Sequence, residues 1–582
     1  MPYDNSIRLL RIHKGTTSDP IEVTLEFARL DDTSPEYEAL SYVWGSSVPV
    51  SYIICRTTQT SITVTRNLYD ALKGMRRVDR DRVMWVDALC INQHDSKEKG
   101  TQVRKMNSIY ASAARVVVWL GADDAGDAEG AFGLLCWLAN LEGEGAHLET
   151  RSQDRVPIIL EREVDLQDCN AWAKVMMFFC QTWFTRLWVL QEIVLAQDAI
   201  FMWGDYSIPW AHVGSAIESI RKNELIQSFL QSRNFHNAFL MWHLSTVFRN
   251  ARHNQESETL PFLHLLDVAR SFEVTDPRDK IYGLLGLPTM YDDRSKDPII
   301  PNYALSASRV YTDVTRKYIS REQNLDILAL VLCDSPNSPT DQEHIDDLPS
   351  WVPNFNSKTT ASPISNTNAG HQYSTGLSRS VHFRTGARPE LLQLEGTVLD
   401  TVRAMGASIP FVRAHNMQRH IELLIRWYIN AGITVHGLAK ILTGGRDRTG
   451  QRLPPYQEEE IVAFLTDTMG DIGAGLVGTP TEGLDFNRNE GLKWKETVWG
   501  FITYRQPFVT ETGMFGLGPQ GLEEGDAVVA LWGGQCPFVI SDAGNGRWTL
   551  KGECYVEDWM HSAVVEALVR KEKKKDVFFE FV

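Results

Sequence analysis

The chain has 582 residues, too many for one ordinary core, and at about 150 residues per domain it predicts two to four units. Its 43% hydrophobic and 10% aromatic content, with 17 Trp, is more than a disordered chain carries, and a formal charge of −16 repels phosphate backbones and argues against general nucleic-acid binding. Met1 to Gly15 lacks the apolar core of a secretory signal, the longest uncharged run of the most apolar region, 171–204, falls well short of the ~18 residues of a membrane span, and eight cysteines without a CxxC pair suit reduced thiols in a cytoplasmic protein.

Between Glu38 and Gly204 short apolar runs alternate with amphipathic segments, the pattern of an α/β layer structure. Ala39–Trp44 reads as a strand ending at Gly45. Asn67 is placed to cap a helix whose Leu68, Ala71, Leu72 and Met75 recur at helical spacing. Val83–Val86 is a continuous apolar strand of the kind buried on both faces of a parallel sheet, and it delivers Asp87 at its carboxyl end. Val103, Met106, Tyr110 and Ala113 mark the next helix, and Val116–Leu120 the next buried strand. The most apolar stretch, 171–204, is broken by Lys174, Arg186 and Glu192 and reads as core. Parallel strands joined by helices have their binding crevice outside the carboxyl ends, so Tyr42, Trp44 and Asp87 are expected to converge at one edge.

From Trp210 to about Pro288 the pattern is mainly helical, with a polar interruption at 249–258. Asp276 suits a helix N-cap, Pro277 the first helical position, and Asp279 the positive end of the dipole. Residues 355–380, rich in Ser, Thr and Asn, and residues 444–455 read as exposed loops or flexible inserts. Asp526–Trp532, Pro537–Ile540, Trp548–Leu550 and Glu553–Val556 are short strands between Gly-rich turns, predicting a β-meander or small barrel. The basic cluster Arg570–Lys575 reads as a solvated helix face. The expected division is 1–205 α/β, 206–345 helical, 346–500 mixed and 501–582 β-rich.

The segment from Trp183 to Glu192 fixes a carboxylate among aromatic neighbours, facing the strand that ends in Asp87. Glu192 either performs chemistry, pairs with Arg186 or Lys174, or contacts a partner; the six-residue separation from Arg186 does not suit an intrahelical pair. Asp87 either binds a ligand or caps the turn that follows it. Asn92 and Gln93 hydrogen-bond either a ligand or their own loop. Cys90 with His94 fixes no thiol–imidazole geometry and reads as a small buried thiol, while His236 and His243 lack metal-ligand spacing. No metal site is expected.

Four blocks carry a resemblance: Tyr37–Gly45, Trp85–Gln93, Met106–Ala113 with Val117–Gly121, and Arg186–Glu192. In residues, order and spacing they resemble the fungal heterokaryon-incompatibility (HET) domain family over roughly residues 35–200. Thr275–Gly286, Leu348–Pro353 and Thr510–Gly513 with Gly516–Pro519 resemble segments that follow the domain in full-length members. Gly552–Tyr555 also fits, whereas Asp558–Ser562 stands where a more Gly-rich, acidic ending is expected. The resemblance implies a part in non-self recognition or regulated cell death, with the HET domain as toxic effector.

The family is similar in layout to TIR domains, some of which cleave NAD at the nicotinamide–ribose bond using a glutamate in a W-C-x-x-E pattern. Trp188 and Glu192 reproduce that spacing, with Val189 in place of the Cys. On that footing the fold class is a TIR-like parallel-sheet α/β domain followed by a helical region and a small β-rich module. Glu192 and Asp87 are then candidate catalytic residues, and Tyr42, Trp44, Asn92, Gln93, Arg186 and Trp188 candidate substrate-binding residues. NAD or a related nucleotide is substrate rather than cofactor. The rival expectation is a non-enzymatic signalling module acting by self-association or partner binding, with exposed aromatics such as Trp183 and Trp210 forming a patch.

Overall fold

Four strands with parallel neighbours form the heart of the N-terminal sheet, and each owes its place to an apolar run. The computed structural model describes residues 5–30, 36–45, 51–140, 169–222, 233–254, 261–287, 298–331, 345–357, 363–365, 373–385, 388–409, 414–447, 451–474 and 498–582. Two compact units divide the chain, Met1–Tyr303 and Ala304–Val582.

In the first unit the strands are β1 (Ser6–Ile12), β2 (Glu22–Arg29), β3 (Glu38–Tyr42), β4 (Ser51–Cys55), β5 (Thr60–Val64), β6 (Arg82–Trp85), β7 (Arg115–Trp119), β8 (Ala199–Trp203) and β9 (Tyr206–Pro209). They form one sheet in the order β5-β4-β2-β1-β6-β3-β7-β8-β9. β6, β3 and β7 run parallel, as their apolar runs predict, and β8, which lies in the stretch read only as core, joins them in parallel. The sheet is nevertheless mixed, because β1 joins antiparallel to both β2 and β6, and β9 antiparallel to β8. Chain connections leave β3 toward β6 on one side and then pass to β7 on the other. The boundary between β3 and β7 is therefore the topological switch point, where open α/β sheets form ligand crevices.

Helices cover the sheet. In the helix Arg66–Met75 it is Thr65, not Asn67, that caps: the Thr65 hydroxyl accepts the Leu68 amide at 3.3 Å. Asn67 is occupied elsewhere, donating to the Val43 carbonyl at 2.6 Å and accepting the Trp119 indole N–H at 3.0 Å, which stitches the ends of β3 and β7 together. Helix Arg233–Asn254 runs through the first half of the polar stretch expected to interrupt it; residues 255–258 lie outside the described residues. Asp276 does accept the Arg278 amide at 3.0 Å, but the helix it precedes is a single turn, Asp279–Tyr282.

The second unit contains β10 (Phe383–Thr385), β11 (Leu392–Met405), β12 (Arg505–Thr510), β13 (Phe515–Pro519), β14 (Ala527–Leu531), β15 (Phe538–Gly544), β16 (Arg547–Glu553) and β17 (Val577–Phe581). β11, β14, β15, β16 and β17 pair in succession, and β17 returns to β11, so the expected small barrel closes. Closure leaves those strands no open edge. β11 comes from well upstream of residue 501. The inward cluster includes Val402, Phe508, Val528, Trp532, Val539 and Val556, and helix Ser562–Glu572 packs Val565 and Val569 onto it.

The polar segment 355–380 is not simply an exposed loop. Ile364, Tyr373 and Thr375 are buried, and the Thr375 hydroxyl donates to the Trp559 carbonyl at 2.6 Å. In 444–455, Arg446 and Leu453 are likewise buried; residues 358–362, 366–372 and 448–450 lie outside the described residues. Among the described residues no helix is long and apolar enough to cross a membrane.

Candidate active site

The carboxyl ends of β6 and β3 bring the charged groups together. Ser41 and Tyr42 finish β3; Asp87 follows its parallel neighbour β6 by two residues; Glu192 arrives on the short helix Val189–Val194, in the crossover from β7 to β8. That helix sits on a wall of rings. Trp183 lies 5.1 Å from Phe201 and 5.1 Å from Phe184, which stacks on Phe201 at 5.9 Å. Trp183 is thereby immobilised, and its indole N–H donates to the Ser41 hydroxyl at 2.7 Å. Ser41 passes the bond on: its hydroxyl donates to Glu192 Oε2.

Glu192 is only 5% exposed. Burial pushes its carboxyl up to about 7; the charge of Arg186 and the Ser41 bond pull the other way, and the charge of Asp87 pushes with burial. Asp87, half-buried, is also pushed up by burial, opposed by three bonds and one charge. Trp44 Nε1 donates to Oδ2 at 2.8 Å, the Ala88 amide donates to Oδ1 at 2.7 Å, the Tyr42 hydroxyl faces the same carboxylate, and Arg186 lends its charge. The Tyr42 phenol is raised in turn, by burial and by the neighbouring Asp87 charge. Arg186 is itself fixed by donating to the Tyr42 carbonyl. Two carboxyl groups, one guanidinium and one phenol therefore share one field, with a proton easily held or released at Glu192 near neutral pH.

The remaining sequence candidates divide. Trp44 stands at the rim, 39% exposed, its ring oriented by the bond to Asp87. Gln93 braces the site from behind: its Nε2 donates to the Asp87 carbonyl at 3.1 Å. Asn92 is exposed and turns to its own loop, accepting the His94 amide at 3.2 Å. Trp188 is half-buried, and its indole N–H goes to Asp279 Oδ2 at 3.0 Å. Cys90 is the small buried thiol expected, pushed up to about 12 by burial.

Ser41, Asn67 and Tyr110 were not among the site residues read from the sequence. Tyr110 donates to the Leu40 carbonyl at 3.0 Å, and its phenol feels Glu192, Asp87 and Arg186. The signal for Ser41 was a lone hydroxyl inside an otherwise apolar strand. The aromatic patch expected of a docking module is absent at its named residues: Trp183 and Trp210 are 1% and 2% exposed.

Residues 37–192 match the model of the heterokaryon incompatibility protein (HET) family, and residues 492–579 that of the Het-6 beta-barrel domain. Residues 37–192 are thus similar to a HET domain. The chain is 26% identical to heterokaryon incompatibility protein 6, OR allele, of Neurospora crassa, across 97% of this chain and 95% of that relative. No solved structure matches the chain. The HET match encloses β3, β6 and β7 with Ser41, Tyr42, Asp87, Arg186 and Glu192, and closes on Glu192 itself. It leaves out β1, β2, β8 and β9 of the same sheet. The Het-6 barrel match likewise begins after β11, the strand that closes the barrel.

Proposed function

We propose that the first unit is the effector of a heterokaryon-incompatibility response, acting in non-self recognition and regulated cell death by hydrolysing the nicotinamide–ribose bond of NAD or a related nucleotide. Glu192 is the essential carboxylate. The observation that carries this reading is the meeting of Glu192, Asp87, Tyr42 and Arg186 at the carboxyl edge of the parallel strands, beside the switch point. Numbered along the chain, the parallel strands lie in the order second, first, third, fourth, a layout similar to TIR domains.

Cleavage of this C–N bond passes through an oxocarbenium-like state, so the site needs a carboxylate beside the ribose and an aromatic surface for the leaving ring. Burial makes the Glu192 charge costly, and the Arg186 field offsets part of that cost. A cationic nicotinamide ring brings a second positive charge, favouring the carboxylate as substrate arrives. Trp44, held by Asp87, offers its face to the ring. Water then adds to C1′ of the ribose, the C–N electron pair leaves with neutral nicotinamide, and Glu192 takes the proton that the water sheds.

The test is direct. Purified full-length chain incubated with NAD is expected to release nicotinamide, and Glu192→Gln to lower the rate by about 10²–10⁴-fold. Equal release from both proteins would defeat the assignment.

A further inference from the structure

The helix carrying Glu192 cannot hold its own register. Val189–Val194 has six residues, and its N-cap Trp188 makes no side-chain capping bond, so few internal bonds offset the cost of helix nucleation. Besides its packing on helices Met106–Ser112 and Arg233–Asn254, it is hydrogen-bonded in place by residues 273–286. The Leu187 amide donates to the Glu273 carbonyl at 3.0 Å, Trp188 Nε1 to Asp279 Oδ2 at 3.0 Å, and Gln191 Nε2 to the Gly283 carbonyl at 2.7 Å. Gly286 permits this approach, because a Cβ there would lie 2.6 Å from Gln191 Oε1. Asp279 is the shared anchor: its other oxygen accepts the Tyr303 hydroxyl at 2.7 Å. All of these partners lie in the first unit, and all lie beyond the HET match, which stops at Glu192.

We infer that Asp279, acting through the Trp188 indole, is a positioning residue for Glu192, so that the competent site needs residues 273–303 as well as the HET match. The inference about helix placement stands apart from the NAD reading; only its kinetic arm rests on that reading.

The experiment uses the full chain and four variants: Asp279→Ala, Asp279→Asn, Trp188→Phe and the double variant Asp279→Ala with Trp188→Phe. Amide hydrogen exchange read by mass spectrometry is expected to quicken about tenfold over residues 187–194 in Asp279→Ala and in Trp188→Phe. The double variant adds nothing to Asp279→Ala, because both single changes cut the Trp188–Asp279 bond. Asp279→Asn, whose side-chain carbonyl still accepts the indole N–H, restores slow exchange, and peptides covering β1 and β7 stay unchanged throughout.

In the nicotinamide assay Asp279→Ala is expected to lose up to about 10²-fold in kcat, with KM within about twofold. Unchanged exchange at 187–194, or equal quickening across the whole first unit, overturns the positioning role. A wild-type chain that releases no nicotinamide overturns the NAD reading instead, and the exchange data still decide the role of Asp279.

Discussion

Two buried glutamates, one in each unit, are treated in opposite ways. Glu553, in the barrel, accepts the amides of Ile364 and Ser365 and the Ser365 hydroxyl at 3.0 Å, and it faces the buried Arg505, whose guanidinium burial brings down to about 10. Both of its oxygens are spent on holding residues 364–365 to the barrel wall. Glu192, equally buried, receives one hydrogen bond, from a hydroxyl, and an uncommitted share of the Arg186 field. Burial alone does not mark a reactive carboxylate. What sets Glu192 apart as the candidate is burial with fewer bonds than Glu553 receives, at an edge where strands end.

The comparison breaks most sharply in kinetics. Glu192→Gln is expected to remove nearly all nicotinamide release, whereas Glu553→Gln leaves the rate unchanged; a reversed outcome would put the chemistry in the barrel. Stability is the next largest contrast. Glu553→Ala leaves Arg505 buried without its counter-charge and is expected to cost about 3–5 kcal/mol, read from urea unfolding of the second unit.

Glu192 should behave the other way. Its carboxyl is raised from 4.5 to about 7 in the folded chain, so between those values the folded state keeps a proton that the unfolded state has released. Stability therefore falls as pH rises through that window, by about 3 kcal/mol in all at roughly 1.4 kcal/mol per pH unit. Glu192→Gln escapes the penalty: its urea midpoint should exceed that of the wild type at about pH 8, with the gap narrowing toward about pH 5. A midpoint below wild type at the higher pH would mean that the carboxylate is structural.

The smallest expected effect belongs to Ser41→Ala. Losing the bond that favours the carboxylate raises the Glu192 carboxyl further and moves the acid limb of the kcat profile toward alkaline pH by about one unit.

β3, β6 and β7 were legible because continuous apolar runs have few other uses, and Glu192 and Asp87 because charges stand out in such surroundings; β8 was lost in a stretch apolar enough to read simply as core. β1 and β2 were not, since Arg11 and Glu26 alternate with apolar residues and find each other only across the pair, at 2.6 Å. β11 was hidden by Gly396 and by bulges between Val398 and Asp400 and between Val402 and Ala404. The composition of 355–380 shows polar groups but not their partners; Thr375 is buried because the Trp559 carbonyl waits for it. The same limit concealed the task of Trp188, whose partner Asp279 lies 91 residues along the chain.

β11 also sets the order in which the molecule is born. Val402 pairs with Thr510 and Leu392 with Phe581, so the barrel stays open until β17 has been made. Among the described residues, the bonds named above that fix the Glu192 site reach no further along the chain than Tyr303, so they can form earlier in translation. A chain stopped before β17 would thus carry the Glu192 edge while its barrel stays open. On the effector role proposed above, that timing is a hazard built into the topology.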